Sequence, residues 1–296
     1  MSNIRNQAML TSLSIGLFNP KKTDRTVTRE VLISKNASHN AGAFVKNILP
    51  EESIKPIQAQ AASLRAWFYE NTLPWGDDAV RLLPVAQWDK FNDEMRARLA
   101  SLNSMFDNFC NNYEQHRDKA LLQLGAMANP ADYPPLHEVR NKFYVKVGYH
   151  PMPDSRDFRL DDMPEEAIAQ IRAETDLRVA DAINEARNDL YHRLAERLQH
   201  IIARMAEANK KREGTRIHAS LIGNLKDLCE LIPSLNVTKD EELEALRVRA
   251  LEEIGVYDID EVRDNADVRA ELKSKAEDIL AAMGFGGANN TAQKAA

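Results

Sequence analysis

Residues 88–124, WDKFNDEMRARLASLNSMFDNFCNNYEQHRDKALLQL, carry the pattern that decides the fold. Apolar and aromatic side chains, with one histidine near the end, recur at alternating intervals of three and four residues. The series is Trp88, Phe91, Met95, Leu99, Leu102, Phe106, Phe109, Tyr113, His116 and Ala120. An average spacing of about 3.5 residues places these side chains along one side of an α-helix. The spacing therefore predicts a long helix over residues 86–124, and Gly125 supplies its C-terminal stop.

A second long helix is predicted over residues 164–212, where a proline and two glutamates open a stripe of apolar residues that runs from Ile168 to Met205. One helix cannot bury such a narrow stripe by itself, so we expect the two long helices to pack as an antiparallel hairpin or coiled coil. The predicted register places His116 opposite Thr175 or Asp176, where both stripes become polar. A polar pair of this kind, His116 with Asp176, fixes the register at some cost in stability.

The rest of the chain predicts a small β element and further helices. Alternating and β-branched residues indicate an N-terminal β-hairpin with strands near 10–18 and 26–33, and a further strand over 142–149. C-terminal helices are predicted over 216–232, 239–254 and 258–283, with breaks at Pro233 and Gly255. The fold class is therefore mainly α with a small β element (α+β). The predicted domains are a basic arm (1–47), a long-helix core (48–213), an acidic helical region (214–283) and a flexible tail (284–296).

Composition excludes several classes of protein. The 296 residues are 44% hydrophobic, which is enough for a core and argues against wholesale disorder. The sequence lacks the run of roughly 18 apolar residues that a membrane span needs, and its first residues do not resemble a signal peptide. Two cysteines cannot form the disulfide framework of a small secreted protein. We therefore expect a protein of a reducing cytosol that does not enter a membrane.

Charge is distributed unevenly along the chain. Residues 1–50 contain seven basic and two acidic side chains, a balance of +5, although the whole chain carries −6. Residues 237–278 contain fourteen acidic and seven basic side chains, a balance of −7. The basic side chains Lys21, Lys22, Arg25 and Arg29 predict a candidate contact with nucleic-acid phosphates. The alternative is an ordinary solvated basic hairpin.

No pattern in the sequence specifies a reaction. A glycine-rich phosphate loop and a His-Glu-x-x-His motif are both missing from the sequence. We therefore predict no catalytic residue, no metal site and no cofactor, and an enzyme is the less favoured class. A site assembled from the loops 71–84 and 150–163 is left open. The tryptophans Trp67, Trp75 and Trp88 are interpreted as a core packing corner or, alternatively, as candidate interface residues.

Three stretches carry a resemblance to a known family: LTSLSIGLFNPKKTDRTVT (10–28), LPWGDDAVRLLPVAQWDKF (73–91) and PPLHEVRNKFYVKVGYHPMPDSRDF (134–158). With the long helix between them, they resemble a family of phage and plasmid proteins known as a domain of unknown function. The resemblance spans residues 8–200 and includes no catalytic motif. Members of that family are often encoded beside MoxR-like AAA+ ATPases and von Willebrand or cobaltochelatase-like proteins. The resemblance therefore implies an accessory protein of a phage or mobile element.

Two functions are consistent with these observations. The first is a non-enzymatic interaction or adaptor protein that self-associates and binds a protein partner, such as an AAA+ ATPase or a host protein. The second is a nucleic-acid-associated protein that acts in phage replication, recombination or counter-defence through the basic arm. Loss of DNA binding after mutation of the basic arm would distinguish the second function from the first.

Overall fold

The computed structural model describes residues 4–76, 79–157, 163–210 and 217–284. The chain divides into two compact units, and each unit is assembled from separated stretches of sequence. The first unit contains residues 1–11, 71–88 and 149–296, and the second contains residues 12–70 and 89–148. The predicted tail lies, from residue 285 onward, outside the described residues. Among the described helices, none is both long and apolar enough to cross a membrane.

The fold is mainly helical with a small amount of β structure, as predicted. In chain order the elements are β1 (Ala8–Gly16), β2 (Lys21–Thr23), α1 (Arg25–Ser34), β3 (Val45–Asn47), α2 (Glu51–Glu70), β4 (Leu73–Pro74), β5 (Arg81–Pro84), α3 (Trp88–Asn111), α4 (Tyr113–Leu124), α5 (Leu136–Lys142), β6 (Tyr144–His150), α6 (Glu165–Lys210), α7 (Ser220–Leu235), α8 (Glu241–Glu253), α9 (Ile259–Asp264) and α10 (Ala266–Ala282).

The described strands form two sheets. The larger sheet has the strand order β4-β5-β1-β6, and β1 pairs antiparallel with β5 so that Ala8 lies opposite Pro84. The smaller sheet pairs β2 with β3 in antiparallel register, which places Lys22 directly opposite Lys46. Like charges in such a position destabilise a strand pair unless a counter-charge lies between them. The β-hairpin of the N-terminal region is therefore formed by β2 and β3, not by the predicted strands near 10–18 and 26–33.

The second predicted long helix is confirmed as one continuous helix, α6. Its apolar stripe is buried from Val179 to Met205, and it belongs to a cluster with residues of α7 and α10, such as Leu225 and Ile279. Within the first unit, α6 packs against α10 and α7, two neighbours that the sequence did not predict; its expected pairing with the first long helix stays a prediction. Both of those helices carry apolar stripes of their own, so they satisfy the same need for burial.

A polar contact fixes α6 against the start of α8. The Asp240 carboxylate is the N-cap of α8, where it accepts hydrogen bonds from the backbone N–H groups of Glu242 and Leu243. The same carboxylate accepts hydrogen bonds from Arg187 and from the Tyr191 hydroxyl, which both project from α6. Because the Asp240 carboxylate both caps the start of α8 and binds two side chains of α6, it fixes the position of α8 relative to α6.

The first predicted long helix is broken into α3 and α4 at Asn112. The Asn112 amide donates hydrogen bonds to the Asn108 carbonyl and to the Asn108 side chain, at 2.8 and 3.0 Å. Asparagine competes with the helix for backbone groups in this way, so a continuous heptad pattern did not ensure a continuous helix. The predicted apolar side of α3 is confirmed as buried from Phe91 through Phe109, with Leu99 half-buried.

Aromatic side chains of the second unit cover the apolar side of α3. Phe91 stacks on Trp67 of α2 with ring centroids 5.0 Å apart, and Phe106 stacks on Phe143 at 4.8 Å. The stripe of α3 is therefore buried by α2 and by the residue that precedes β6. The antiparallel hairpin of the two long helices stays a prediction.

The three predicted C-terminal helices are present, and two differences in their bounds have a clear physical cause. Pro233 does not end the first of them, because α7 continues to Leu235. Asn265 interrupts the last one, since its side chain accepts hydrogen bonds from the N–H groups of Asp267 and Val268 and begins α10 as an N-cap. Both differences concern where a helix ends, which is the least determined feature of a helical pattern.

Candidate binding groove on the N-terminal arm

Residues 25–34 form helix α1, although the sequence predicted a strand over residues 26–33. The Asp24 carboxylate accepts hydrogen bonds from the N–H groups of Thr26 and Val27 at 3.1 and 3.0 Å, and so caps the helix N-terminus. At the other end, Asn36 adopts a left-handed conformation with φ +50°. The prediction was wrong because these caps outweigh the weak strand preference of β-branched residues.

The C-terminal end of α1 is a Schellman motif. The Ala37 N–H donates to the Leu32 carbonyl at 2.9 Å, and the Asn36 N–H donates to the Ile33 carbonyl at 3.0 Å. The motif turns the chain back along the helix, so that residues 37–44 run beside α1. Two bonds fix the far end of this return segment: the Asp24 N–H donates to the Phe44 carbonyl, and the Phe44 N–H donates to the Thr28 hydroxyl.

A groove of about 330 Å³ lies between α1 and the return segment, and we name it the α1 groove. Its helical wall is formed by residues at spacings of three and four, which share one side of the helix. The lining residues are Thr28, Val31, Leu32, Lys35, Ala37, Ala41, Gly42, Ala43 and Phe44. The groove is thus mainly apolar, with a lysine at one end.

Helix α1 buries none of its residues, although it is amphipathic. Val31, which lines the groove, is 46% exposed, and Ile33 is 72% exposed. A capped amphipathic helix normally lies with its apolar side on a core, because tertiary packing supplies most of its stability. Here the groove is held in shape by hydrogen bonds and its apolar lining faces solvent.

A buried lysine anchors the arm to the rest of the second unit. The Lys46 ammonium donates to the Asp24 carboxylate at 2.7 Å and to the Met127 carbonyl at 2.8 Å, and it forms an ion pair with Asp132 at 2.9 Å. The second oxygen of Asp132 pairs with Lys22 at 3.0 Å. Asp132 therefore supplies the counter-charge that the facing lysines of β2 and β3 require.

Ionisation in this cluster is coupled to its hydrogen bonds. The hydrogen bond from Lys46 lowers the pKa of the Asp24 carboxyl, and the backbone bond from Val27 lowers it further. Burial is the strongest single influence on Asp132 and favours its neutral form, but hydrogen bonds from Lys46 and Lys22 outweigh it and lower the pKa. Burial likewise opposes the charge on Lys46, yet both carboxylates together raise its pKa. All three groups are charged near neutral pH.

The four predicted nucleic-acid contacts do not form one hairpin tip. Lys21 and Lys22 lie on β2, whereas Arg25 and Arg29 lie one turn apart on α1. All four are exposed, but Lys22 is engaged by Asp132. Within the described residues, no ion pair is recorded for Lys21, Arg25 or Arg29. The structure thus leaves three of the four cations available at the surface.

The three tryptophans are half-buried within their own units. Trp67 packs between Phe91 and the guanidinium of Arg98, whose carbon lies 5.0 Å from the ring centroid. Trp88 contacts Tyr149 edge to face at 5.3 Å. Trp75 packs partly on the core of the first unit and borders a cleft of about 400 Å³. Each tryptophan thus packs within its own unit, and a common packing corner or an interface role for them stays a prediction.

The predicted polar pair, His116 and Asp176, belongs to different units, and each residue has contacts within its own. His116 lies against the ring of Phe109 at 5.5 Å, and burial, with help from nearby Lys119, lowers its pKa. Asp176 accepts hydrogen bonds from Arg5 at 2.6 Å and from Ser155 at 3.1 Å. A register-setting role for the pair stays a prediction.

Within the described residues, the two cysteines and the potential metal ligands do not form a candidate site. Cys110 and Cys229 are buried, and burial raises the pKa of Cys229 to about 11, so its thiol is protonated at neutral pH. Within the described ranges, no group of three or more His, Cys, Asp or Glu side chains is arranged to hold a metal ion. The α1 groove is therefore the surface feature that the described structure offers most clearly for binding.

Sequence reasoning missed the groove because residues 26–33 were interpreted as a strand. Two signals could have indicated it: an aspartate followed by a stretch with helical spacing, and Thr28, Val31, Leu32 and Lys35 at intervals of three, one and three.

No protein-family model, curated protein or solved structure matches this chain.

Proposed function

We propose that this protein is a non-enzymatic protein-interaction module and that the α1 groove is its binding surface. The observation that carries the proposal is an amphipathic helix, capped at both ends, that buries none of its own residues. Apolar surface that is rimmed by charge and held in a fixed shape is typical of sites that bind other proteins. A preformed groove also avoids the entropic cost of ordering a loop on binding.

Retention of bound proteins from a bacterial lysate tests the proposal when a matched pair of variants is compared. Val31→Asp introduces a charge into the groove, and Leu122→Asp introduces the same charge at a residue of α4 that is 85% exposed. We expect a bound protein to be retained by the wild type and by Leu122→Asp but lost with Val31→Asp. Equal retention by all three proteins would show that the groove is not the binding surface.

Nucleic-acid binding is the second candidate, because Lys21, Arg25 and Arg29 are exposed on one arm. If this candidate holds, fluorescence anisotropy will show DNA binding at low salt that weakens steeply as salt increases. Arg25→Ala with Arg29→Ala should then weaken binding more than Lys22→Ala, since Lys22 already pairs with Asp132. Flat anisotropy at low salt would eliminate this function.

The partner and the biological setting are proposed on the family resemblance alone. We propose that the module is a phage or mobile-element accessory protein of the bacterial cytoplasm and that a MoxR-like AAA+ ATPase is one of its partners. Co-purification of the two proteins from cells that express both tests the pairing. Recovery of the ATPase by the Leu122→Asp variant but not by Val31→Asp would further assign the contact to the groove.

A further inference from the structure

A second surface of this chain has the chemistry that the α1 groove would recognise. Residues 252–261, EEIGVYDIDE, connect α8 to α9 and contain five acidic side chains and no basic one. Val256 lies in the middle of this stretch and is 71% exposed. We name these residues the acidic corner. An exposed apolar side chain surrounded by carboxylates is therefore presented on a turn between two helices.

Part of the negative charge of the acidic corner is free for an external partner. Glu253 pairs with Arg249 and Asp260 pairs with Arg263. Within the described residues, no ion pair is recorded for the other three acids, Glu252, Asp258 and Glu261, of which Asp258 caps α9 by accepting hydrogen bonds from two backbone N–H groups. All three are exposed.

The α1 groove is complementary to the acidic corner in both charge and polarity. Arg25, Arg29 and Lys35 lie on or at the end of α1, and within the described residues no ion pair is recorded for any of them. Lys35 ends the helical stripe that lines the groove, and Arg25 lies one turn before Thr28, the first residue of that stripe. Cations at both ends with an apolar centre match carboxylates on both sides of a valine.

We infer that the α1 groove of one copy binds the acidic corner of a second copy, with Val256 on the apolar lining and Glu252 and Glu261 facing Arg25 and Lys35. The inference rests on the proposed function, because it names the occupant of the same groove. Complementary charge across such a contact sets specificity and register, and the burial of the apolar side chain adds affinity.

The inferred contact joins two different surfaces, so it is heterologous. A heterologous contact leaves a free groove at one end of each pair and a free acidic corner at the other, and it therefore builds rings or open chains instead of closed dimers. The surfaces are small compared with the roughly 1,200 Å² that a stable interface buries. The average molar mass should therefore rise gradually with protein concentration, and added salt should reduce it.

Charge reversal on each surface provides the test, using the full-length protein. The groove variant carries Arg25→Glu and Lys35→Glu, and the corner variant carries Glu252→Lys and Glu261→Lys. Each variant alone brings like charges together, which we expect to weaken association roughly tenfold or more. In an equal mixture, the reversed groove of the groove variant can bind the reversed corner of the corner variant. The native groove of the corner variant can likewise bind the native corner of the groove variant. Sedimentation equilibrium should therefore show that the mixture associates although neither variant does so alone.

Each outcome of this experiment has a defined meaning. Circular dichroism of both variants checks that they are folded, and their association in the mixture confirms this independently. A wild-type protein that stays monomeric at all concentrations, or a mixture that stays monomeric, would overturn the inference. If proteins are still retained through Val31 in that case, the proposed function stands and the groove binds a different acidic partner.

Discussion

Replacement of Lys46 by methionine should destabilise the second unit far more than the same change at Lys22. The Lys46 side chain is only 5% exposed and contacts two carboxylates and one carbonyl, whereas the Lys22 side chain is 46% exposed and, among the described residues, forms its one ion pair with Asp132. Removing one partner of a buried pair costs about 3–5 kcal/mol. Asp24 keeps its bonds to the end of α1, so we expect about 3 kcal/mol for Lys46→Met, the lower end of that range, and less than about 1 kcal/mol for Lys22→Met.

Urea unfolding, combined with hydrogen exchange of the amides in β2, β3 and α1, measures both effects. The exchange data assign the loss of stability to the arm and separate it from the first unit. Asp132→Asn in the Lys46→Met background should recover part of the loss, because it removes a carboxylate that has lost its main counter-charge. Equal stability of the two single variants would refute the role of Lys46 as the anchor of the arm.

The same network predicts sensitivity to acid. The pKa values of Asp24 and Asp132 are lower in the folded protein than in the unfolded chain. Their stabilising effect is therefore fully present above about pH 4, the ordinary range of an aspartate, and is lost as the pH falls through the folded-state pKa values. In Lys46→Met this dependence should become smaller. An unchanged acid transition would show that the carboxylates gain nothing from Lys46.

Two further predictions concern single positions. Gly255→Ala should destabilise the first unit by about 1–3 kcal/mol because an added Cβ would lie 2.5 Å from the Leu251 carbonyl oxygen. Gly223→Ala should instead stabilise the first unit by up to about 1 kcal/mol, because an added Cβ on α7 would meet no atom within 4 Å. Thermal unfolding measures both effects, and a shift of the two melting temperatures in the same direction would contradict this reasoning. Burial lowers the pKa of His116, so its protonation favours the unfolded chain and stability should decline as the pH falls below about 6.5. His116→Gln should remove that decline whereas His39→Gln, at an exposed site, should not, and identical pH profiles of stability for the two variants would disprove the assignment.

Periodicity predicted the helices and their buried sides but not their neighbours. The stripes of α3 and α6 are buried as expected, since a core imposes the helical period on the sequence whatever element supplies the other side. Which element packs on a stripe depends on the shapes of the two surfaces and on how the chain connects them, and the spacing of apolar residues in one helix does not give this information. Leu190 could pack equally well on any apolar helix, and its partners became known only from the three-dimensional structure.

The candidate site was less accessible to sequence reasoning because distant residues determine it. Lys22 and Lys46 are both lysines of the basic arm, and the sequence alone does not distinguish their roles. The fold places Asp132 between them and leaves Arg25 and Arg29 at the surface. Helix α1 likewise depends on bonds from Phe44, which lies outside the helix. The basic character of the arm could be predicted, but its conformation could not.

The division of the chain into interleaved stretches also constrains how the protein is made. The ribosome completes the second unit when residue 148 has been synthesised, whereas residues 1–11 of the first unit must wait for everything from residue 149 onward. A simple truncation therefore cannot isolate either unit. Expression of the second unit alone requires residues 71–88 to be replaced by a short linker, and the first unit requires two such junctions.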